Sequence, residues 1–328
     1  MKRNRIILAT LIAFLVVLGI YFAVQLFQTQ DDNGKTVRLL YWNVQNGMWD
    51  GQYDDYQRFT TWVAEQNADI CVWAEAQKLY VTGTDQWEPE KEEECVNRWK
   101  RLAERYGHSY VYLSAHPDAY PQLITSRYPL EAEKLIEGNA DTIVCHGASW
   151  YKMKMGKKTF NIVTLHTWPQ RYGYHSTEEN RQESIAKNEG DLFRRVEMEY
   201  ICKETILSHP DAKNEYWAMM GDFNSVSKVD NNVYKLPENS TMFLVHDYIT
   251  GETPYLDLIH ELYPHQYLRT TGSNKRIDFI YVTPALYEKI NYASVLYDGY
   301  CTPYRDEHSV SYFWNPSDHC PILMEFKQ

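Results

Sequence analysis

The sequence predicts an α/β fold: a four-layer sandwich of two packed, mostly antiparallel β-sheets flanked by helices, plus an N-terminal transmembrane helix. Three observations lead there. Residues 36–75 read as strand, helix, strand; six further β-rich runs follow; and only two long helical stretches lie among them. The chain has 328 residues, 44% of them hydrophobic and 23% charged, which is enough apolar material for a large core. No Pro/Gly/Ser-rich linker, charge block or repeat divides it after residue 35, so residues 36–328 read as one domain.

Residues 6–27, IILATLIAFLVVLGIYFAVQLF, carry no charge and follow Lys2, Arg3 and Arg5. That is the length of a bilayer-spanning helix with a positive inner flank, which puts the rest of the chain outside the cytoplasmic membrane. A secretory signal peptide has a shorter apolar region and ends in a small-residue cleavage site, and YFAVQLFQTQ offers no good one. Residues 1–35 are therefore read as an uncleaved membrane anchor, with secretion as the consequence if the N-terminus is cut.

The first strand is TVRLLYWNV (36–44), followed by a helical stretch near 55–67 with Tyr56, Phe59 and Val63 in helical register, and then by DICVWAE (69–75). The later strands are 109–114, 122–126, 159–167, 216–224, 276–283 and 320–326. The long helical stretches are 90–106 and 178–208; the second is expected to place Leu192, Val196, Tyr200, Ile206 and Leu207 on an apolar stripe facing the core. KEEE (91–94) suits a solvated helix start, where the dipole favours acids.

The formal net charge of −11 argues against a broad electrostatic grip on nucleic acid, which depends on Lys and Arg displacing counterions. Carboxylates gathered around a divalent cation also make a chain acidic, and a metal can recruit phosphate without a basic patch. None of the six cysteines shows zinc-site spacing; in an oxidising space they leave fifteen full pairings open, and Cys71, inside an apolar run, reads as a small buried hydrophobe.

Polar residues recur where apolar strands stop: Asn43, Glu75, His166, Asp222, Asn224, Asp278, Asp318 and His319. Taken singly, each suits a turn, a helix cap or a satisfied surface histidine. Eight in sequence order point to a common edge.

GDFNS (221–225), RIDFIYV (276–282) and SDHCPI (317–322) resemble motifs of the endonuclease/exonuclease/phosphatase superfamily, the pancreatic deoxyribonuclease-like phosphoesterases. YWNVQNG (41–47) is similar to the family's first Asn motif and VWAEAQ (72–77) to its Glu strand. ITSRYPL (124–130) is similar to its Ser-Arg-aromatic-Pro element and TLHT (164–167) to its central His. The resemblance runs from about residue 36 to the C-terminus. It implies phosphoester hydrolysis at the sheet edge by metal-assisted in-line attack of water. Mg²⁺ (with Mn²⁺ able to substitute) would be held by Glu75, Asn43 and Asp318. It further implies that Asp278 supports His319 as general base or phosphoryl stabiliser, that Asp222 and Asn224 orient water and a phosphate oxygen, and that His166 donates to phosphate or to the leaving oxygen. Where many relatives carry an acid two residues after the first Asn, this chain has Gln45, and Ala74 stands where a Gln precedes the Glu; the first departure favours a single ion.

Arg127 in SRYPL is read as holding a turn. In the polar and aromatic stretch 168–181, Arg171, His175 and Arg181 are candidates to contact an anionic headgroup, against an ordinary solvated loop. The 27 tyrosines suit strands and half-wet surfaces. The expected partner is a phosphoester substrate, a nucleic acid or a phospholipid headgroup, met by a monomer held to the membrane through residues 6–27. The competing classes are a binding or scaffold protein that has lost turnover and a structural envelope protein whose acids are turn caps. The last of these predicts that Glu75, Asp222, Asp278 and His319 lie far apart.

Overall fold

In a computed structural model of the chain, the described residues are 34–80, 86–116, 118–139, 142–169, 178–305 and 313–328. The anchor expected over residues 6–27 lies outside them. Among the described residues no helix is long and apolar enough to cross a membrane.

Among the described residues twelve strands form two six-stranded sheets. The strands of the first are β1 (Thr36–Asn43), β2 (Ile70–Ala74), β3 (Tyr110–Leu113), β4 (Leu123–Ser126), β11 (Ile290–Val295) and β12 (Ile322–Lys327), in the order β11-β12-β1-β2-β4-β3. The second holds β5 (Glu131–Asn139), β6 (Thr142–Met155), β7 (Lys158–His166), β8 (Tyr216–Asp222), β9 (Leu256–Asp257) and β10 (Asp278–Val282), in the order β5-β6-β7-β8-β10-β9. Among the described residues only β1–β2 and β7–β8 pair in parallel, so each sheet is mixed and mostly antiparallel.

The central strands are apolar on both faces because both are covered. In β1, Leu39 and Tyr41 point between the sheets and meet Ile162, Ala218, Met220 and Ile280 of the second sheet. Leu40 and Trp42, one residue out of phase, point outward onto Phe59, Trp62, Val63 and Trp99 of the helices Gln57–Gln66 and Glu92–Arg105. On the far side Trp217, Met219, Phe279 and Tyr281 face Met198, Ile201, Val245 and Ile249 of the helices Glu189–Glu204 and Leu244–Glu252. The result is helix, sheet, sheet, helix, as the sequence predicts.

Two readings need correction. The stretch 178–208 is two helices, Glu178–Ala186 and Glu189–Glu204, broken at Asn188, which sits in the left-handed region with φ 56°. Its expected core stripe is split: Leu192 at 52%, Val196 at 45% and Leu207 are exposed, whereas Ile206 is buried in the core with Tyr200 packed against it, and Asp191, Arg194, Glu197, Met198, Ile201 and Cys202 form the buried face of the helix. A polar network reversed the face, for Arg194 pairs with Asp191 and donates to the Trp168 and Pro169 carbonyls, and Glu197 accepts from backbone amides of Cys145 and Trp168. The sequence leaves the cysteine pairing open, and none of the six cysteines is paired; all but Cys145 are buried, Cys71 as the small hydrophobe expected, and burial pushes its thiol up.

Candidate active site at the strand ends

Strand direction decides which end of the sandwich carries polar groups. β1, β2, β7 and β8 run toward one edge and deliver Asn43, Glu75, His166 and Asp222 there; β10 and β12, antiparallel to them, begin at that edge with Asp278 and, just before β12, Asp318 and His319. Register completes the alignment, since Asp222 is opposite both His166 and Asp278. Six separate stretches of chain thus meet at one cleft of about 460 Å³, lined by Glu75, His166, Asp222, Asn224, Asp318 and His319 among others. The arrangement is opposite to what the turn-cap reading predicts.

At the floor, His319 Nδ1 lies 2.7 Å from Asp278 Oδ2, and the other oxygen, Oδ1, accepts from the Tyr41 hydroxyl at 2.9 Å. Thr270 Oγ1 accepts the Asp278 amide, and Ser317 Oγ accepts the His319 amide while donating to the Asn43 carbonyl. Burial opposes an imidazolium, but Asp278, then Asp318 and Asp222, outweigh it and hold the His319 pKa well above the usual range. His319 is therefore a cation buried among carboxylates.

Asp222 lies between two imidazoles: its Oδ2 is 3.7 Å from both His319 Nε2 and His166 Nε2. These gaps are too long for direct hydrogen bonds. Burial, then the Asp278 charge, pushes the Asp222 carboxyl up to about 7. His166 goes the other way: burial first, then His146 and His319, lowers it well below its usual range, so it is neutral. One imidazole is charged and the other uncharged across a single carboxyl group. The Asn224 amide donates to Asp222 Oδ1 at 2.8 Å, and the Asn224 side chain donates to the Thr167 carbonyl, which fixes the turn after β8.

On the other side of the cleft Asn43 Nδ2 donates to Glu75 Oε1 at 3.1 Å and to Asp222 Oδ2 at 3.2 Å, while its Oδ1 accepts the Gln45 amide. In this arrangement Asn43 bridges two carboxylates. Glu75 has φ 53°, a left-handed backbone that the fold imposes at the end of β2 where its carbonyl accepts the Gly47 amide. Burial, then Asp318, raises its pKa. Gln45 is spent on structure, its Oε1 accepting the Trp314 amide at 3.0 Å.

The donor chemistry fits a hard divalent cation. Glu75 and Asp318 present carboxylate oxygens at the cleft with Asp222 beside them, and burial first, then neighbouring carboxylate charge, raises the Glu75 and Asp222 pKa values, a cost that a cation would relieve.

The sequence reading missed His146. It stands within β6, its ring 4.2 Å centroid to centroid from His166 and bonded through Nδ1 to Asp118, and it lines the cleft with Tyr120 and Trp168. No strand end marks it; the alternation of Tyr151, Met153 and Met155 could have found β6, but an imidazole in mid-strand carries no signal of its own. Tyr41 could have been found, because a period of two puts it on the face of Asn43. Of the remaining candidates, Arg171 and His175 lie outside the described residues, and Arg181 falls in the helix Glu178–Ala186 with its side chain outside them. Arg127 holds a turn as expected, through Asp69 and Asn67.

No family model matches the sequence, and no curated protein matches it. Solved structures do. An AP endonuclease from Archaeoglobus fulgidus superposes with a TM-score of 0.56 at 15% identity, covering 89% of this chain and 100% of its own. A humanized D. rerio TDP2 gives 0.54 at 13% identity, covering 89% and 99%. An endonuclease/exonuclease/phosphatase protein from Beutenbergia cavernae gives 0.55 at 12%, covering 89% and 72%. The chain has the fold of the endonuclease/exonuclease/phosphatase superfamily.

Proposed function

We propose that this chain is a metal-dependent phosphoester hydrolase that cleaves a phosphodiester, tethered by residues 6–27 with its catalytic domain outside the cytoplasmic membrane. One observation carries the activity: Asp222, Asp278 and His319, from three distant stretches, lie side by side, Asp278 2.7 Å and Asp222 3.7 Å from the His319 ring nitrogens, at a cleft that Glu75 and Asp318 also line. The tether rests on the uncharged, positively flanked run of residues 6–27. The names of the structural neighbours, an AP endonuclease and TDP2, fit a phosphoester substrate.

Glu75 and Asp318 would hold one Mg²⁺, with Asn43 setting the Glu75 carboxylate, and Mn²⁺ could take the same oxygens. When bound, the ion neutralises phosphate charge and polarises the scissile P–O bond. The chain's own groups do the rest. Asp222 in its ionised form accepts a hydrogen bond from the attacking water and, with Asn224, aligns it. His319, kept charged and immobile by Asp278, donates Nε2–H toward the negative oxygens that grow in the transition state. His166, neutral and buried, is placed to donate from Nε2 to the leaving oxygen. His146 packs on the His166 ring and fixes its orientation.

Among the described residues lining the cleft, Lys275 is the one lysine or arginine. That and the net charge of −11 favour a small phosphodiester over a long nucleic-acid strand. Mg²⁺-dependent release of p-nitrophenol from bis-p-nitrophenyl phosphate tests the reading, with EDTA and His319→Ala as controls. No metal-dependent turnover on this ester, on DNA, RNA, sphingomyelin or inositol phosphates would sink it in favour of a scaffold.

A further inference from the structure

The pole opposite the cleft is basic. The hairpin between β6 and β7, KMKMGKK (152–158), carries four lysines and no acid, in a chain where Asp and Glu number 44 against 33 Lys and Arg. Lys152, Lys154, Lys157 and Lys158 line a cavity of about 350 Å³ with His209 and Glu215. Little of this charge is neutralised. Lys152 pairs with Glu133 at 2.9 Å, but Lys154 bonds Thr159, Lys158 bonds the Tyr216 hydroxyl, and Lys157 has no partner among the described residues. The oxygens of Glu215 are taken by Trp217 and His209 rather than by a lysine.

The described chain starts at this same pole. The Gln328 amide donates to the Lys35 carbonyl, Phe326 pairs with Val37, and the Phe326 ring lies 4.9 Å from that of Phe160, two residues into β7. The cleft is a strand-length away: β7 leads from Lys158 to His166, about 26 Å at ~3.3 Å per residue. Eight Cα steps lead from Phe27, the end of the apolar run, to Lys35, and they reach at most about 29 Å, so the pole that carries the start of β1 lies near the bilayer.

We infer that the 152–158 hairpin is a docking surface for anionic phospholipid headgroups, which holds the cleft facing away from the bilayer and makes the substrate a phosphodiester delivered from water rather than a lipid of the same membrane. The inference rests on the tether of the proposed function. A lysine head placed at an anionic leaflet finds the phosphate it lacks in the fold, and the negative charge of the rest of the chain opposes any other face lying down.

Amine-reactive labelling of the full chain in vesicles, read by mass spectrometry, tests it without requiring turnover. In phosphatidylglycerol vesicles Lys154, Lys157 and Lys158 should each react about fivefold more slowly than in phosphatidylcholine vesicles, equivalent to ~1 kcal/mol per lysine at an anionic surface. Lys275, at the cleft, should react equally in both. Equal labelling of the hairpin lysines in the two lipids, or protection of Lys275 instead, overturns the docking surface while the chain still floats with vesicles. Failure to float in either lipid overturns the tether itself, and a chain that shows the expected protection but hydrolyses no phosphoester overturns only the catalytic reading.

Discussion

Asp278 holds His319 by a 2.7 Å contact between its Oδ2 and the Nδ1 of the ring, and both groups are buried. The pair behaves as one unit: the carboxylate fixes the orientation of the ring and keeps it charged. Asp278→Asn should therefore lower kcat by about 10²–10⁴, with His319→Ala in the same range and the double variant little worse than either. Tyr41→Phe removes only a neutral donor from the other oxygen and should cost about tenfold or less. Kinetics of the four variants check this, and additive losses for Asp278 and His319 would show that they act separately.

Asp222 gives a pH dependence with a definite sign. Its folded pKa is raised to about 7 from an ordinary 3.8. Between those values the folded chain holds a proton that the unfolded chain has lost, so the metal-free domain loses stability as pH rises from about 4 to 7. A cation at the site favours the ionised carboxylate, so Mg²⁺ should raise Tm more at pH 8 than at pH 5. Turnover should rise with pH along a limb at or below about 7. In Asp222→Asn both the pH dependence of the Mg²⁺ effect and the limb should flatten; thermal melts at the two pH values, with and without Mg²⁺, decide it.

How far the sequence discloses the site follows from where the signal lies. β1, β2, β7, β8, β10 and β12 are apolar runs that stop at a polar residue, so their ends announce Asn43, Glu75, His166, Asp222, Asp278 and His319 before any contact is known. β5 was hidden because EAEKLIEGN alternates charges with few large apolar groups at the edge of a sheet. The helix Glu189–Glu204 misled for a different reason: Arg194 and Glu197 are buried by bonds to loops distant in sequence, and such bonds leave no periodic trace. His146 reaches the cleft only because β6 lies beside β7, a pairing that strand composition does not encode.

Asn43 tests how the carboxylates are set. Its amide nitrogen donates to Glu75 and Asp222 at once, which fixes both oxygens without contributing charge. Asn43→Ala should weaken Mg²⁺ affinity by about 10–100-fold, as expected when a group that orients a ligand is removed, and high Mg²⁺ should recover part of the activity. Asn43→Asp instead adds a third negative charge beside two carboxylates and should raise the pH at which activity appears. Mg²⁺ titrations of initial rate for the two variants give the readout. Unchanged Mg²⁺ dependence in Asn43→Ala would mean that Glu75 needs no support.

Arg276 belongs to the motif that identifies β10, yet its guanidinium turns away from the cleft. It is buried in a fork between Asp257, whose two oxygens it meets at 3.0 and 2.8 Å, and Asp230 at 2.7 Å. Two buried carboxylates thus depend on one cation, and Asp257 in addition caps the short helix after β9 by accepting the His260 amide. Removing the cation leaves both acids desolvated and unpaired. Arg276→Met should therefore destabilise the domain by about 3–5 kcal/mol, whereas replacing all three with apolar residues of similar volume should cost far less. Arg276→Lys should fall between, because an ammonium cannot span both acids with the same fork. Denaturant melts of the three variants order these outcomes; if Arg276→Met melts like the parent, the fork is not what holds β9 and β10 together.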